Sequence, residues 1–273
     1  MTFLAILIVV FVYKNWLGDH PLQARLPFAA YQHWFLSRPY APLVRYLLCV
    51  GLPVLLVASL AWLLSSGLTV ILWLLLSLIV LFYTLDSVNL ADQLEEQEAW
   101  LRSLQAGRPV AGAIEQQETF VTETTYFVFQ SIYPVLFWFL LLGPTGALAY
   151  GLSRSYLQNL EIEDPEYARV ERVVFWMEWL PVRVTGFVFA LLGDFGRCFD
   201  TWVAAWSDTE SSAEELLRAL LGLAIDEADY TDIDDIPAFV VLASEDLQAV
   251  KVLLARTLFG WLGLAAVLAI VGW

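Results

Sequence analysis

Residues 46–85 contain no charged side chain, and this feature constrains the fold of the chain more than any other. About 20 apolar residues cross the hydrocarbon core of a bilayer, so the stretch is long enough for two crossings. A Ser-Ser-Gly sequence at residues 65–67 interrupts it near the middle. The sequence therefore predicts two membrane helices, residues 46–64 and 68–85, joined by a tight turn. A hairpin buried in a soluble protein is the alternative, which the lack of charge disfavours.

The composition of the whole chain points the same way. Apolar residues make up 59% of the 273 residues and charged residues only 16%, whereas a soluble domain has about 45–50% and about 25%. The 12 tryptophans suit a protein with extensive membrane–water interfaces. The formal net charge of −15 argues against nucleic acid as a partner. The lipid bilayer is the partner that the composition indicates.

Four further apolar stretches extend the membrane prediction. A third span is predicted over residues 252–272, where Arg256 can extend its charged head to the interface. Residues 1–13, 124–157 and 173–192 are predicted to span or re-enter the membrane. A signal peptide is the rival for residues 1–13, but that stretch lacks a basic start and a small-residue cleavage site.

The segments between the spans are predicted to form a cytoplasmic helical layer. Arg25, Arg38 and Arg45 precede the first hairpin, and basic residues near span ends favour the cytoplasm. Residues 88–123 and 193–250 would then be cytoplasmic. The predicted fold is one all-α, polytopic membrane domain over residues 1–273, with short, broken or re-entrant helices and an amphipathic cytoplasmic layer.

Local signals indicate several elements within the second cytoplasmic segment. Phe199, Trp202 and Trp206 are spaced as one face of a helix, which either lies at the lipid headgroups or packs against other helices. The sequence of residues 212–215 (SAEE) predicts a helix start with a capping box. The Asp-rich residues 226–235 are predicted to be a solvated acidic loop, because they lack the glycine and the glutamate of an EF-hand.

The sequence offers no recognisable catalytic or metal-binding motif. Two histidines and two cysteines leave little for histidine-based catalysis, a multi-cysteine metal site or a disulfide framework. Phosphate-binding loops, nucleophile elbows and zinc-protease motifs are missing from the sequence. We therefore predict no catalytic residues, no metal site and no cofactor. Asp19 and His20, which follow the first apolar stretch, form either a capping turn or part of a polar site.

The most unusual polar residues are Glu178 and Arg183, which flank Pro181 in an apolar stretch. Ionisable groups at membrane depth are costly and by default suggest function. Two other interpretations stay open: the residues pair within the protein and fix its packing, or their heads reach water at the interface. Pro181 also deprives the Met177 carbonyl of its helical donor, and Arg183 is a candidate to replace it.

Two motifs resemble a known membrane protein family. Residues 134–138 (PVLFW), followed by residues 143–150 (GPTGALAY), resemble the "APLFW…GG-P-GA…Y" signature of the CobD/CbiB family. Residues 178–186 (EWLPVRVTG) resemble its "NWIPARLT" signature, and residues 17–19 (LGD) are faintly similar to its "GDP" start. The total length and the apolar C-terminal helix are similar to the divergent regulatory branch of that family, AmpE.

The AmpE resemblance implies a multi-pass protein of the inner membrane of a Gram-negative bacterium. It implies a signalling modulator of β-lactamase induction, associated with the cytoplasmic amidase AmpD of the anhydro-muropeptide recycling pathway. Its partners would be a muropeptide or a component of that amidase pathway.

The enzymatic branch of the family instead joins cobyric acid to an aminopropanol derivative with ATP. Residues 126–131 and 151–157 lack the carboxylates and asparagines of that branch. A non-enzymatic modulator is therefore the favoured function, and an ATP-dependent, CobD-like amide-forming enzyme is the alternative. A transporter is a second alternative, suggested by the helix breaks at residues 143–146 and Pro181.

Overall fold

The structure, a computed structural model, describes residues 2–16, 26–64, 69–85, 90–104, 109–231 and 233–271. Within these ranges the regular secondary structure is helical, without strands. Four of the described helical segments are long and apolar enough to cross a membrane, which confirms the prediction of an all-α polytopic membrane protein. These segments are Pro42–Leu64, Val110–Leu142, Tyr167–Leu192 and Ile236–Ile270.

The described helices follow one another along the chain with short connections. They are α1 (Thr2–Trp16), α2 (Leu26–Leu36), α3 (Pro42–Tyr46), α4 (Leu52–Leu64), α5 (Val70–Thr84), α6 (Leu90–Ser103), α7 (Val110–Leu142), α8 (Pro144–Gln158), α9 (Tyr167–Leu192), α10 (Phe195–Ala205), α11 (Ala213–Ile225) and α12 (Ile236–Val271). A π-helical segment, Leu47–Gly51, connects α3 to α4, so that the three form one continuous helical stretch.

The chain divides into two compact units. Unit 1 comprises Met1–Ser87, Gln130–Pro181 and Ala265–Trp273, and unit 2 comprises Val88–Phe129 and Val182–Leu264. Helices α7, α9 and α12 contribute residues to both units. The prediction of a single membrane-embedded domain stays a prediction.

In unit 1, helix α8 is the central element. It packs against α2, α4 and α5, and most of its side chains are buried. The approach to α5 is close at Gly151, where a Cβ atom would lie 2.8 Å from Cγ2 of Thr84. By contrast α4 has no buried residue, and Trp62 on this helix is 79% exposed. An apolar surface of this kind suits contact with lipid.

The turn before α8 has the geometry that its sequence predicts. Gly143 adopts φ 64°, which glycine reaches without steric cost, and Pro144 occupies the first turn of α8. Residues 124–142 lie within α7, which begins at Val110 and is continuous through Pro134. Helix α9 is likewise continuous through Pro181. Which segments cross the bilayer stays a prediction.

In unit 2, α6 and the start of α7 form an apolar core with the start of α12. Leu94 and Leu101 of α6 are fully buried there against residues that include Phe239 and Leu247. Burying such side chains stabilises the unit by about 1.5–3 kcal/mol each. Ser212 and Glu215 form the predicted capping box at the start of α11, which confirms that local prediction.

Candidate functional site

Two prolines inside helices organise the polar interior of unit 1. Pro134 lies within α7 and Pro181 within α9. Proline has no amide hydrogen, so the carbonyl groups four residues earlier, those of Gln130 and Met177, lose their helical donors. In lipid or in a protein core such carbonyls must be satisfied by other groups of the protein.

Side chains that are distant in sequence but lie beside these carbonyl groups in the folded chain supply the missing donors. The indole Nε1–H of Trp138 donates to the Met177 carbonyl over 2.9 Å. The guanidinium of Arg154 donates to the Gln130 carbonyl over 2.9 Å, and the Tyr150 hydroxyl lies 3.2 Å from the same oxygen. Both helices therefore continue through their prolines without leaving these carbonyl groups unsatisfied.

Glu178 belongs to this network, which we call the proline-linked cluster: Trp138, Tyr150, Arg154 and Glu178. The Tyr150 hydroxyl donates to Oε1 of Glu178 over 2.7 Å. Glu178 is 3% exposed, and Tyr150 and Arg154 are also buried. The Glu178 carboxylate is thus held inside the protein by a hydrogen bond. This geometry favours a structural role over a role as a reacting group.

Arg183, the second predicted site residue, is buried in unit 2. Its Nε–H and one Nη–H donate to the Ala205 carbonyl over 2.9 and 2.6 Å. The same Nη donates to the Asp208 carbonyl over 2.5 Å. The final carbonyls of a helix lack helical partners, and Ala205 is the last residue of α10. Arg183 therefore anchors the end of α10.

The turn after α10 also restrains Asp208. Hydrogen bonds from the side chain and backbone of Ser211 and from the backbone of Glu210 lower the pKa of Asp208 to about 2, and the charge of Arg183 acts in the same direction. The Asp208 carboxyl is therefore ionised at neutral pH.

A third polar cluster joins α2, α3 and α8 in unit 1. Arg45 forms an ion pair of 2.6 Å with Glu166, which also accepts a hydrogen bond of 2.9 Å from the Tyr156 hydroxyl. Gln32 donates to the Tyr156 carbonyl, and Asn159 donates to the side chain of Gln32. Because these groups pair with one another, the cluster stabilises the packing of the helices in unit 1.

Sequence reasoning located some of these residues and missed others. It singled out Glu178 and Arg183 as site residues. Trp138 and Tyr150 were included only as part of the family motifs, and Arg154 was missed. The spacing of Tyr150 and Arg154, four residues apart in a short apolar helix, was the available signal. Asp19 and His20 lie outside the described residues, so their role stays a prediction.

Unit 2 contains a cavity between α6 and α7, which we call the α6–α7 cavity. Its volume is about 540 Å³. Aromatic, amide and carboxylate side chains line it, namely Gln93, Glu96, Gln97, Trp100, Gln116, Phe120, Glu123, Thr124 and Phe127. Gln97 donates to buried Gln117 over 2.9 Å, and Nε2 of Gln117 has no acceptor within the described part of the chain. Ligand pockets typically combine apolar walls with a few polar groups in this way.

A second cavity of unit 2, about 660 Å³, has strongly acidic walls. Glu115, Glu118 and Asp234 line it, and Arg218, the lining arginine, is engaged by both carboxylate oxygens of Glu227 at 2.6 and 2.8 Å. Burial and the hydrogen bond to Asp246 raise the pKa of Tyr230 at the same cavity. Such walls disfavour an anionic ligand because like charges repel.

The donor role of Trp138 can be tested directly. Trp138→Phe keeps an aromatic ring but removes the only donor that the described structure gives the Met177 carbonyl. We expect the free energy of unfolding to fall by about 1 kcal/mol, the low end of the range for an unsatisfied buried acceptor, because this hydrogen bond is only partly buried. Denaturant unfolding of the purified protein in mild detergent measures it. Trp62→Phe, on the exposed surface of α4, is the matched control and should change stability little; equal losses in the two variants would refute the donor role.

The chain is also similar to known proteins. A family model described as "Regulatory signalling modulator protein AmpE" matches residues 1–263. Protein AmpE of Shigella flexneri is 24% identical over 267 residues, which covers 90% of this chain and 92% of that protein. No solved structure matches the chain significantly.

Proposed function

The chain belongs to the AmpE family of regulatory signalling modulator proteins, and from this we propose that it is a non-enzymatic modulator in a bacterial inner membrane. In this proposal it crosses the membrane several times, binds an anhydro-muropeptide and adjusts β-lactamase induction through the cell-wall recycling pathway. The family match and the four apolar helices support the membrane and signalling parts. The muropeptide part depends on the cavity of unit 2.

The α6–α7 cavity is the observation that carries the proposal. A muropeptide combines sugar rings with a peptide, so its receptor needs flat apolar surfaces and hydrogen-bonding groups together. Trp100, Phe120 and Phe127 supply the former, and the lining glutamines supply the latter. Amides both donate and accept, as acetamido and peptide groups require. Most of its lining residues lie within residues 88–123, the segment predicted to be cytoplasmic, where the amidase of this pathway acts.

Buried polar clusters support a non-enzymatic role. Glu178 accepts a hydrogen bond from Tyr150, and Glu166 is held by Arg45 and Tyr156. A general base must reach the proton that it removes from a substrate. Both carboxylates are instead buried and occupied by groups of the protein, which suits a scaffold.

A matched pair of double variants tests the proposal. Gln93 and Gln116 are uncharged amides that line the α6–α7 cavity, whereas Ser103 and Thr119 are exposed on the same two helices and do not line it. Q93A/Q116A should weaken binding of a purified anhydro-muropeptide about 10-fold, since each lost hydrogen bond costs on the order of 0.5–1.5 kcal/mol. S103A/T119A should bind like the wild type. Calorimetry with protein in nanodiscs measures both.

The cellular consequence is tested in parallel. Deletion of the gene should change β-lactamase induction and the anhydro-muropeptide pool, and Q93A/Q116A should reproduce that change at normal protein level. Unchanged induction and pools after deletion would contradict the proposal. ATP-dependent joining of an amine to a carboxylate by the purified protein would favour the amide-forming alternative instead.

A further inference from the structure

Two arginines near the start of α9 share one face of the helix with a tryptophan. Arg169 and Arg172 are three residues apart, and Trp176 follows one turn later. Residues three and four apart on a helix are neighbours on its surface. All three side chains are exposed, so the helix presents two positive charges beside an aromatic ring.

These side chains line a cavity of unit 1. Its volume is about 580 Å³, and its lining consists of Trp138, Ala168, Arg169, Arg172, Val173, Trp176 and Met177. The ring of Trp138 is fixed there by the hydrogen bond to the Met177 carbonyl. The cavity therefore has one cationic wall and two indole walls, one of them held in place.

The two positive charges are available to a ligand. Within the described ranges no acidic side chain forms an ion pair with Arg169 or Arg172. Glu166, one turn earlier, is occupied by Arg45. Glu171 lies about 100° around the helix from Arg172 and about 200° from Arg169, away from their shared face. In a chain with a net charge of −15, these two arginines form a local patch of positive charge.

The position of the cavity along α9 indicates what kind of anion. The arginines lie in the first two turns of a helix that qualifies as a membrane span, just before the apolar segment from Val173 onwards. Arginine heads at span ends reach the level of the phosphate headgroups, and tryptophan prefers the same depth. A ligand here would have a charged end beside the arginines and an apolar end along the helix.

We propose that this cavity binds an anionic phospholipid, with its phosphate between Arg169 and Arg172 and its glycerol and first acyl carbons against Trp138 and Trp176. Guanidinium groups recognise phosphate oxygens through paired hydrogen bonds as well as charge. The site differs from the muropeptide cavity of unit 2, and the proposal does not depend on it.

Native mass spectrometry of the full chain in a non-ionic detergent tests the site. Phosphatidylglycerol and phosphatidylcholine with the same acyl chains are titrated, and bound lipids are counted. The wild type should prefer phosphatidylglycerol about 30-fold, as expected for two arginines near an anionic headgroup. R169Q/R172Q should lose most of this preference. Arg172→Gln alone should reduce the preference for phosphatidylglycerol about 5-fold. This single variant keeps the test valid should the double variant fail to fold.

The control removes the same charge elsewhere. K251Q/R256Q deletes two cations from α12 and should keep the full preference. Full preference in R169Q/R172Q would overturn the proposal. Displacement of the lipid by an equal concentration of glycerol 3-phosphate would also overturn it, because the site would then serve a soluble phosphate and not a membrane lipid.

Discussion

Replacing Arg183 by methionine should destabilise the protein by at least about 3 kcal/mol. Methionine keeps the apolar volume but removes all three hydrogen bonds that the guanidinium donates to the Ala205 and Asp208 carbonyls. Hydrogen bonds from charged groups contribute about 1.5–3 kcal/mol each, and carbonyls left unsatisfied in a buried place add to the loss. Reduced levels of folded protein and a lower unfolding midpoint in mild detergent are the expected observations.

Arg197→Met is the matched control, because Arg197 is 52% exposed and pairs with Asp194 and Asp226 at the surface of unit 2. Exposed ion pairs contribute about 0–1 kcal/mol, so this variant should unfold nearly like the wild type. Similar losses in the two variants would refute the anchoring role. An Arg183→Met protein that folds normally but no longer signals would make Arg183 a ligand contact instead.

The same contacts bear on the predicted pairing of Arg183 with Glu178. If pairing were the main role of Arg183, exchanging the two charges would restore stability. A carboxylate cannot donate to a carbonyl, so a glutamate at position 183 cannot replace the anchor of α10. We therefore expect Arg183→Glu to stay destabilised when Glu178→Arg is added.

Gly193→Ala should have a comparable effect at the other end of α10. A Cβ atom at this position would lie 2.3 Å from the carbonyl oxygen of Ala224 and 2.8 Å from its Cβ. Backbone atoms cannot move aside as a flexible side chain can, and Asp194 N–H also donates to that carbonyl over 3.1 Å. Overpacking of this kind costs about 1–3 kcal/mol, and the loss of the hydrogen bond adds about 1 kcal/mol.

Gly112→Ala is the control, with an expected effect of opposite sign. Gly112 lies inside α7, and a Cβ atom there meets nothing within 4 Å. Alanine in a helix interior is more stable than glycine by up to about 1 kcal/mol, because it restricts the unfolded chain. Thermal unfolding of the two variants and the wild type shows whether each substitution raises or lowers the unfolding temperature. Equal shifts of that temperature would show that the contact of residue 193 with Ala224 does not determine the loss of stability.

The lining of the unit 2 cavities could not have been predicted from local sequence. Glu96 and Gln116 are polar residues on amphipathic helices, and such residues usually face solvent. They line one cavity only because α6 packs against the start of α7 through Leu94 and Leu101. The sequence predicted an amphipathic cytoplasmic layer that includes residues 88–123, but not which helices pack together or the space left beside them.

The sequence by itself determined the class of the protein and several of its helix ends. Long charge-free stretches specify membrane helices, because a bilayer interior forces the backbone to satisfy its own hydrogen bonds. The capping box of Ser212 and Glu215 is equally local, since both bonds lie within one turn. Such features depend on neighbours along the chain, and the sequence states those neighbours directly.

Only the tertiary structure decided which side chains donate to the carbonyl groups that the prolines inside α7 and α9 leave without a helical donor. The sequence showed that Pro181 frees the Met177 carbonyl, and it suggested Arg183 as a donor. The donor is Trp138, 39 residues away in sequence, and Arg183 itself holds a turn 22 to 25 residues away. A freed carbonyl accepts from whichever donor the packing of helices brings within reach. Packing depends on the shapes of all the contacting surfaces, and local sequence does not specify it.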